Sequence, residues 1–231
     1  MTDSLSARLE QVRARLAAAC AAAGRPSEAV ALLAVSKTFP ADDVRAAHRC
    51  GLSAFGENYV QELQQKSEAL ADLALEWHFI GPLQSNKTRI VAERAHWAHS
   101  IDRLKIAERL SAQRPDELPP LNVCVQVNVS GEDSKSGCAP DEAAALARAV
   151  AALPRLRLRG LMCVPEPTED AARLAAQFAG LRRLQQSLQA EGLPLDTLSM
   201  GMSADLELAV AEGATVVRVG SAIFGQRDYR Q

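Results

Sequence analysis

Three groupings of residues in this chain have the types and spacing to do chemistry together. The first is Lys37, delivered by the apolar run Leu32-Leu33-Ala34-Val35-Ser36. A lysine at the end of such a run is partly withdrawn from water. That disfavours the ammonium form and frees the amine to attack an aldehyde carbon. The plainer reading is a lysine that merely reaches solvent. The second grouping is a pair of turns, Ser199-Met200-Gly201-Met202-Ser203 and Val219-Gly220-Ser221, each leading into a helical segment. Backbone N–H groups and hydroxyls at such turns can cradle a phosphate, although ordinary helix capping uses the same residues. The third is Arg218, a charge inside the apolar run Thr215-Val216-Val217-Arg218-Val219, with Gly220 two positions on and facing the same way. A guanidinium that keeps its proton, set against a pyridine nitrogen, holds that nitrogen unprotonated and weakens the ring as an electron sink. The competing partner for Arg218 is an interior carboxylate such as Glu57.

These groups need a scaffold that brings residues 37, 199–203 and 218–221 to one place. Short apolar runs at 31–36, 54–56, 77–80, 97–101, 122–128, 158–163, 197–200 and 216–219 alternate with helical segments. Leu5, Leu9, Val12 and Leu16 recur at helical spacing and predict a first helix that stops at Gly24. Asp42 and Asp43 after Pro40 suit a helix start. Asn58 with Gln61 resembles a capping box, and Asp102 and Ser203 are candidate N-caps. Gly51, Gly192 and Gly213 stand where helices should end. Eight strand–helix units, with no Gly-x-Gly-x-x-Gly after the first strand, favour a single (β/α)8 TIM barrel over an open doubly wound sheet. The expected organisation is one domain over 1–231, an extra N-terminal helix at 1–24 and the barrel at 31–228. In such barrels the working residues lie at the C-terminal ends of the strands, where all three groupings fall, and phosphate often sits after strands seven and eight.

Composition removes other classes. A formal net charge of −2 and no basic run argue against a nucleic-acid partner. No run of eighteen apolar residues exists, so no membrane helix is expected, and the N-terminal segment is interrupted by Arg13 and Arg15 and lacks a signal-like core. Five scattered cysteines without a C-x-x-C pair fit reduced, structural thiols in a cytoplasmic chain. His96 and His99 stand three apart, which on a strand puts them on opposite faces, so no metal site is expected. A monomer is the default.

The motifs AVSKTFP, FGENYVQE, WHFIGPLQSNK, SIDRLKIAERL, QVNVSGEDSKSG, GLMCVP, LSMGMSADLELAVAEGAT and VRVGSAIFGQRDY, spread from Ala31 to Tyr229, resemble the pyridoxal-phosphate homeostasis protein family. The resemblance implies a fold-type III barrel similar to the N-terminal domain of alanine racemase, without that enzyme's second domain. It implies pyridoxal 5′-phosphate (PLP) as cofactor, held as a Schiff base on Lys37. Ser203, Gly220 and Ser221 match the phosphate-binding positions, Arg218 the residue at the ring nitrogen, and Asn58, Met162 and Met200 positions lining the pocket. Residue 221 is Ser where threonine is frequent, which keeps the hydroxyl. The function implied is intracellular PLP homeostasis without robust catalysis, with apo-PLP enzymes as possible recipients. An amino-acid racemase-like enzyme and a sugar-phosphate Schiff-base enzyme are the alternatives. Tyr59 and Tyr229, the two tyrosines, are poorly placed as a second base, and Lys87 and Lys135 are candidate secondary sites or surface charges.

Overall fold

A computed structural model describes residues 4–131 and 136–225. Eight parallel strands close on themselves in sequence order. They are β1 (Ala31–Val35), β2 (Ala54–Glu57), β3 (Glu76–Phe79), β4 (Trp97–Ile101), β5 (Leu121–Gln126), β6 (Leu156–Met162), β7 (Thr197–Ser199) and β8 (Val216–Val219). β8 returns to β1 with Leu33 opposite Arg218 and Ala34 opposite Val219. Every expected strand is present, within two residues of its expected bounds at either end.

The helices are α1 (Leu5–Ala22), α2 (Ala41–Arg49), α3 (Val60–Ala69), α4 (Thr88–Arg94), α5 (Leu104–Gln113), α6 (Ala143–Ala151), α7 (Ala171–Ala190), α8 (Leu206–Ala211) and α9 (Ser221–Phe224). α1 forms because Leu9, Val12, Leu16, Ala19 and Cys20 make one apolar stripe, all buried, and Ser4 Oγ accepts from the Ala7 N–H at 3.2 Å. It packs on α8 and α9, where Arg8 Nε donates to the Ile223 carbonyl at 2.8 Å and Arg15 donates to the Ser203 carbonyl at 3.2 Å. The N-terminal helix therefore braces the two turns after β7 and β8. Acidic Asp42 and Asp43 open α2, and His48 and Arg49 close it, matching the helix dipole at both ends. Gly51, Gly192 and Gly213 follow helices with positive φ, as expected of stops.

Three capping expectations are corrected. α3 begins after Tyr59, so Asn58 is not its cap; α5 begins after Arg103, and Asp102 pairs with Arg103 instead; α8 begins after Asp205 rather than Ser203. In each case the turn between strand and helix is longer than local capping rules predict. Asn58 and Ser203 are left on the cavity at the strand ends.

The alternation of each strand divides the interior into two layers. One large cluster lies between the sheet and the helices and includes Ala34, Phe55, Trp77, Phe79, Leu161, Leu198 and Met200. A smaller one inside the barrel comprises Trp97, Cys124 and Met162. The polar side chains His78, His99, Ser199 and Arg218 share that lumen, hydrogen-bonded to one another or stacked on Trp97.

Candidate functional site

A cavity of about 330 Å³ opens at the C-terminal ends of the strands. Val35 of β1 and Lys37 after it, Asn58 after β2, Ile80 after β3, Val164 after β6, Met202, Ser203 and Ala204 after β7, and Arg218 of β8 with Gly220 and Ser221 after it line the cavity. Six of the eight expected site residues are thus brought together: Lys37, Asn58, Ser203, Arg218, Gly220 and Ser221. Met162 and Met200 are not on its wall. Both are fully buried, Met162 in the lumen with Trp97 and Cys124, Met200 in the sheet–helix layer. Period two explains Met200: with Ser199 facing the lumen, its successor must face outward. A larger groove of about 420 Å³ between α7 and Val127, Val129 and Pro140 has Arg173 and Gln177 as its polar residues, without a nucleophile.

Lys37 is held by its neighbours. Ser36 Oγ donates to Glu57 Oε1 at 2.6 Å, and Lys66 Nζ reaches the Ser36 carbonyl, Glu57 Oε1 and Glu62 Oε2, each at 2.7 Å. The Thr38 N–H donates to the same Glu62 carboxylate at 2.7 Å, and Thr38 adopts φ +68°. Residues on both sides of Lys37 are therefore tied to one polar cluster between β1, β2 and α3. Burial pushes the Glu57 carboxyl up to about 7, against the pull of the Lys66 ammonium and the Ser36 hydroxyl. The sequence already contained part of this cluster as a Glu62–Lys66 pair at i, i+4. Glu57 and Ser36 joined it only through strand pairing, Val35 lying opposite Gly56.

Arg218 is 4% exposed. Its Nη1 donates to the Ser199 carbonyl at 2.6 Å and to Ser199 Oγ at 2.8 Å, and its Nη2 donates to the Cys163 carbonyl at 2.8 Å. Burial pulls its pKa below the ordinary arginine value, but a guanidinium does not lose its proton in proteins. Among the described residues it forms no salt bridge: Glu57 is engaged by Lys66 on the other face of the sheet, which corrects the expected alternative of an Arg218–Glu57 pair.

The turn after β7 is set by Gly201, at φ +95°, where a Cβ would stand 2.5 Å from that of Ala209. It sends Met202 and Ser203 over the cavity, while α9 starts at Ser221, the N–H groups of Ile223 and Phe224 closing on the Gly220 carbonyl and those of Ser221 and Ala222 standing ahead of that turn. Asn58 Oδ1 is buried without a hydrogen-bond partner. An amine, an unmet amide acceptor, a fixed cation and a hydroxyl-bearing pair of turns on one wall suit a phosphorylated aromatic aldehyde. The residues present fit PLP.

The remaining candidates fall elsewhere. Lys87 sits half-buried in a 3-10 turn, Ser85–Lys87, and is not part of the cavity wall. Lys135 and Tyr229 lie outside the described residues. Tyr59 is 53% exposed. Cys124 and Cys163 are fully buried, and burial pushes both thiols up to about 12 and that of Cys138 up to about 11, as structural cysteines should be. No group of three metal-ligating side chains occurs among the described residues, and no described helix is long and apolar enough to cross a membrane. Sequence reasoning missed Val35, Ile80, Val164, Met202 and Ala204 as wall residues; each stands at or shortly after a strand end, and that placement was the available signal.

Residues 7–228 match the family described as alanine racemase, N-terminal domain. A pyridoxal phosphate homeostasis protein of Pseudomonas aeruginosa is 62% identical over 227 residues, covering 98% of this chain and 97% of that protein. The structure of PipY of Synechococcus elongatus with PLP bound superposes with a TM-score of 0.84 at 38% identity, covering 96% of this chain and all of that one. Alanine racemase of Corynebacterium glutamicum shares the fold, with a TM-score of 0.72 at 17% identity over 94% of this chain and 62% of its own. Agreement at this level over nearly the full length places the chain in the pyridoxal phosphate homeostasis protein family, on the alanine racemase N-terminal barrel.

Proposed function

We propose that this chain binds PLP in the cavity at the strand ends, covalently on Lys37, and serves intracellular PLP homeostasis without robust turnover. The observation that carries this reading is the convergence of Lys37, Arg218 and the Ser203 and Gly220-Ser221 turns on one cavity. The PLP-bound PipY structure and the names of the relatives support it. PLP supplies an aldehyde for attachment and a pyridine ring for electron withdrawal. Lys37 would hold the cofactor through its aldehyde, its amine being the nucleophile on the cavity wall. Ser203, Gly220 and Ser221 hold the phosphate, and Asn58 orients the ring. Arg218, as a permanent donor, keeps the ring nitrogen unprotonated.

Carriage rather than racemisation is favoured by the cavity's own inventory. Racemisation needs one base on each side of the α-carbon. Among the described residues lining the cavity the titratable groups are Lys37 and Arg218, and Arg218 cannot act as a base. On this reading 1–231 works as one PLP-binding domain, monomeric and cytoplasmic, with apo-PLP enzymes as recipients.

Borohydride reduction of the PLP-loaded protein followed by peptide mapping tests the attachment. The expected result is a single pyridoxyl label on Lys37, absent in Lys37→Ala; a label on another lysine with Lys37 intact overturns it. Turnover of L- or D-amino acids at enzyme-like rates would remove the carrier reading while leaving the attachment standing.

A further inference from the structure

The lumen contains an unbroken chain of hydrogen bonds that runs from the cavity to the far end of the barrel. Arg218 Nη1 donates to Ser199 Oγ at 2.8 Å, Ser199 Oγ lies 2.8 Å from His99 Nδ1, His99 Nε2 lies 2.9 Å from His78 Nδ1, and His78 Nε2 lies 2.7 Å from Glu76 Oε1. Ser199 and His99 are completely buried, His78 is nearly so, and the Glu76 side chain is half exposed. Glu76 is the first residue of β3, at the opposite end of the strands from Lys37.

The order of protons along this chain follows from its ends. Arg218 can only donate, so Ser199 Oγ accepts from it; at the other end the Glu76 carboxylate can only accept, and with both rings neutral this leaves the Ser199 O–H to donate to His99 Nδ1. His99 must then carry its proton on Nε2 and donate to His78 Nδ1. His78, likewise protonated on Nε2, donates to the Glu76 carboxylate. Both rings are neutral, and every member is satisfied. A second proton on His78 would set two N–H groups face to face between the rings, unless His99 reversed and left the Ser199 O–H without its acceptor. Burial disfavours the cationic form of both rings. The surroundings agree: Trp97 stacks on His78 at 5.4 Å and carries Arg159 over its ring at 4.9 Å, Arg159 is paired with Asp196, and the Glu76 carboxylate is also close enough to His96 to act on it.

We propose that Ser199 and His99 are positioning residues for Arg218, with His78 and Glu76 anchoring the chain, so that the guanidinium facing the cofactor ring is held by a directional relay from the far mouth of the barrel. The proposal rests on the reading that the cavity holds PLP with Arg218 at its ring nitrogen. Ser199 also accepts through its carbonyl and Cys163 through its own. Losing the relay therefore loosens the arginine without releasing it.

Nitrogen-15 NMR of histidine-labelled, cofactor-free protein reads the relay directly. His78 and His99 are expected to be neutral with the proton on Nε2, and Nδ1 protonation of either ring overturns the proposal. In PLP-loaded protein, Ser199→Ala and His99→Leu are each expected to speed cofactor release about 3–10-fold, the worth of one hydrogen bond, and to shift the visible absorption in the same direction. The double variant should do no more than the larger single one. His99→Gln, whose amide can both accept from Ser199 and donate to His78, should restore most of the parent behaviour. Parent release rates and spectra in Ser199→Ala and His99→Leu, or effects that simply add, overturn the positioning role. Arg218→Leu separates the two levels: if it leaves spectrum and release unchanged, the PLP reading of the cavity fails, while the NMR result still decides the relay.

Discussion

Two buried polar clusters flank the same strand ends, one on each face of the sheet, and they solve the problem of a buried cation differently. Outside the sheet, Lys66 sits between the Glu57 and Glu62 carboxylates, so its charge is met by charge. Inside, Arg218 is met by two carbonyls and a hydroxyl, with the nearest relay carboxylate, Glu76, three side chains away. The outer cluster fixes the backbone on both sides of Lys37. The inner one places its cation on the cavity wall without a paired carboxylate among the described residues. Backbone anchoring and ligand recognition are thus assigned to opposite faces of one sheet.

Deleting each cation should break this symmetry most sharply. Lys66→Ala abandons two carboxylates, one of them wholly buried, and is expected to cost about 3–5 kcal/mol in chemical denaturation. Arg218→Leu leaves neutral groups unsatisfied and should cost less, about 1–3 kcal/mol, yet it should weaken PLP retention more than any outer-cluster change of equal stability cost. Equal ratios of stability loss to retention loss in the two variants would erase the distinction.

Opposite pH responses are the next largest effect. Glu57 is raised to about 7 in the fold from an ordinary value near 4.3. Between those values the native state holds the extra proton, so stability falls as pH rises, by at most about 1.4 kcal/mol per unit. His78 and His99 are lowered, so below about pH 6.5 the unfolded chain takes up protons that the native state refuses. Their contribution is present above that pH and lost as pH falls. Thermal melts from pH 5 to 8 should show the Glu57 slope vanish in Glu57→Gln while the histidine slope persists. A melt profile unchanged by Glu57→Gln would mean that this carboxyl stays ionised.

The smallest effect concerns Thr38. A β-branched residue at positive φ is strained, and Thr38→Gly is expected to gain no more than about 1 kcal/mol, part of the relief being offset by added freedom in the unfolded chain. Urea denaturation should detect a gain; a loss would mean that the turn after Lys37 is held by the threonine side chain, which donates to the Lys37 carbonyl.

The barrel itself was legible because its cues are local. Eight apolar runs, glycine stops and alternating helices require only neighbours in sequence, and Lys37, Arg218 and the Gly/Ser turns stood at strand ends that parity and length already marked. The helix caps at Asn58 and Ser203 were misread because both residues serve the cavity wall, and that at Asp102 because its carboxylate pairs with Arg103. Met200 was expected at the cavity on resemblance, although the inward setting of Ser199 sends it to the helix side.

Residue order along the chain was enough to specify the alternation, the eightfold count and the amine at the end of the first strand. The contacts that give those residues their chemistry join positions 36 with 57 and 66, and 76 with 78, 99, 199 and 218. They were decided by closure of the sheet, because a hydrogen-bond partner a hundred residues away leaves no periodic trace in sequence, and two side chains meet across a lumen only when strand tilt and register bring them to the same level.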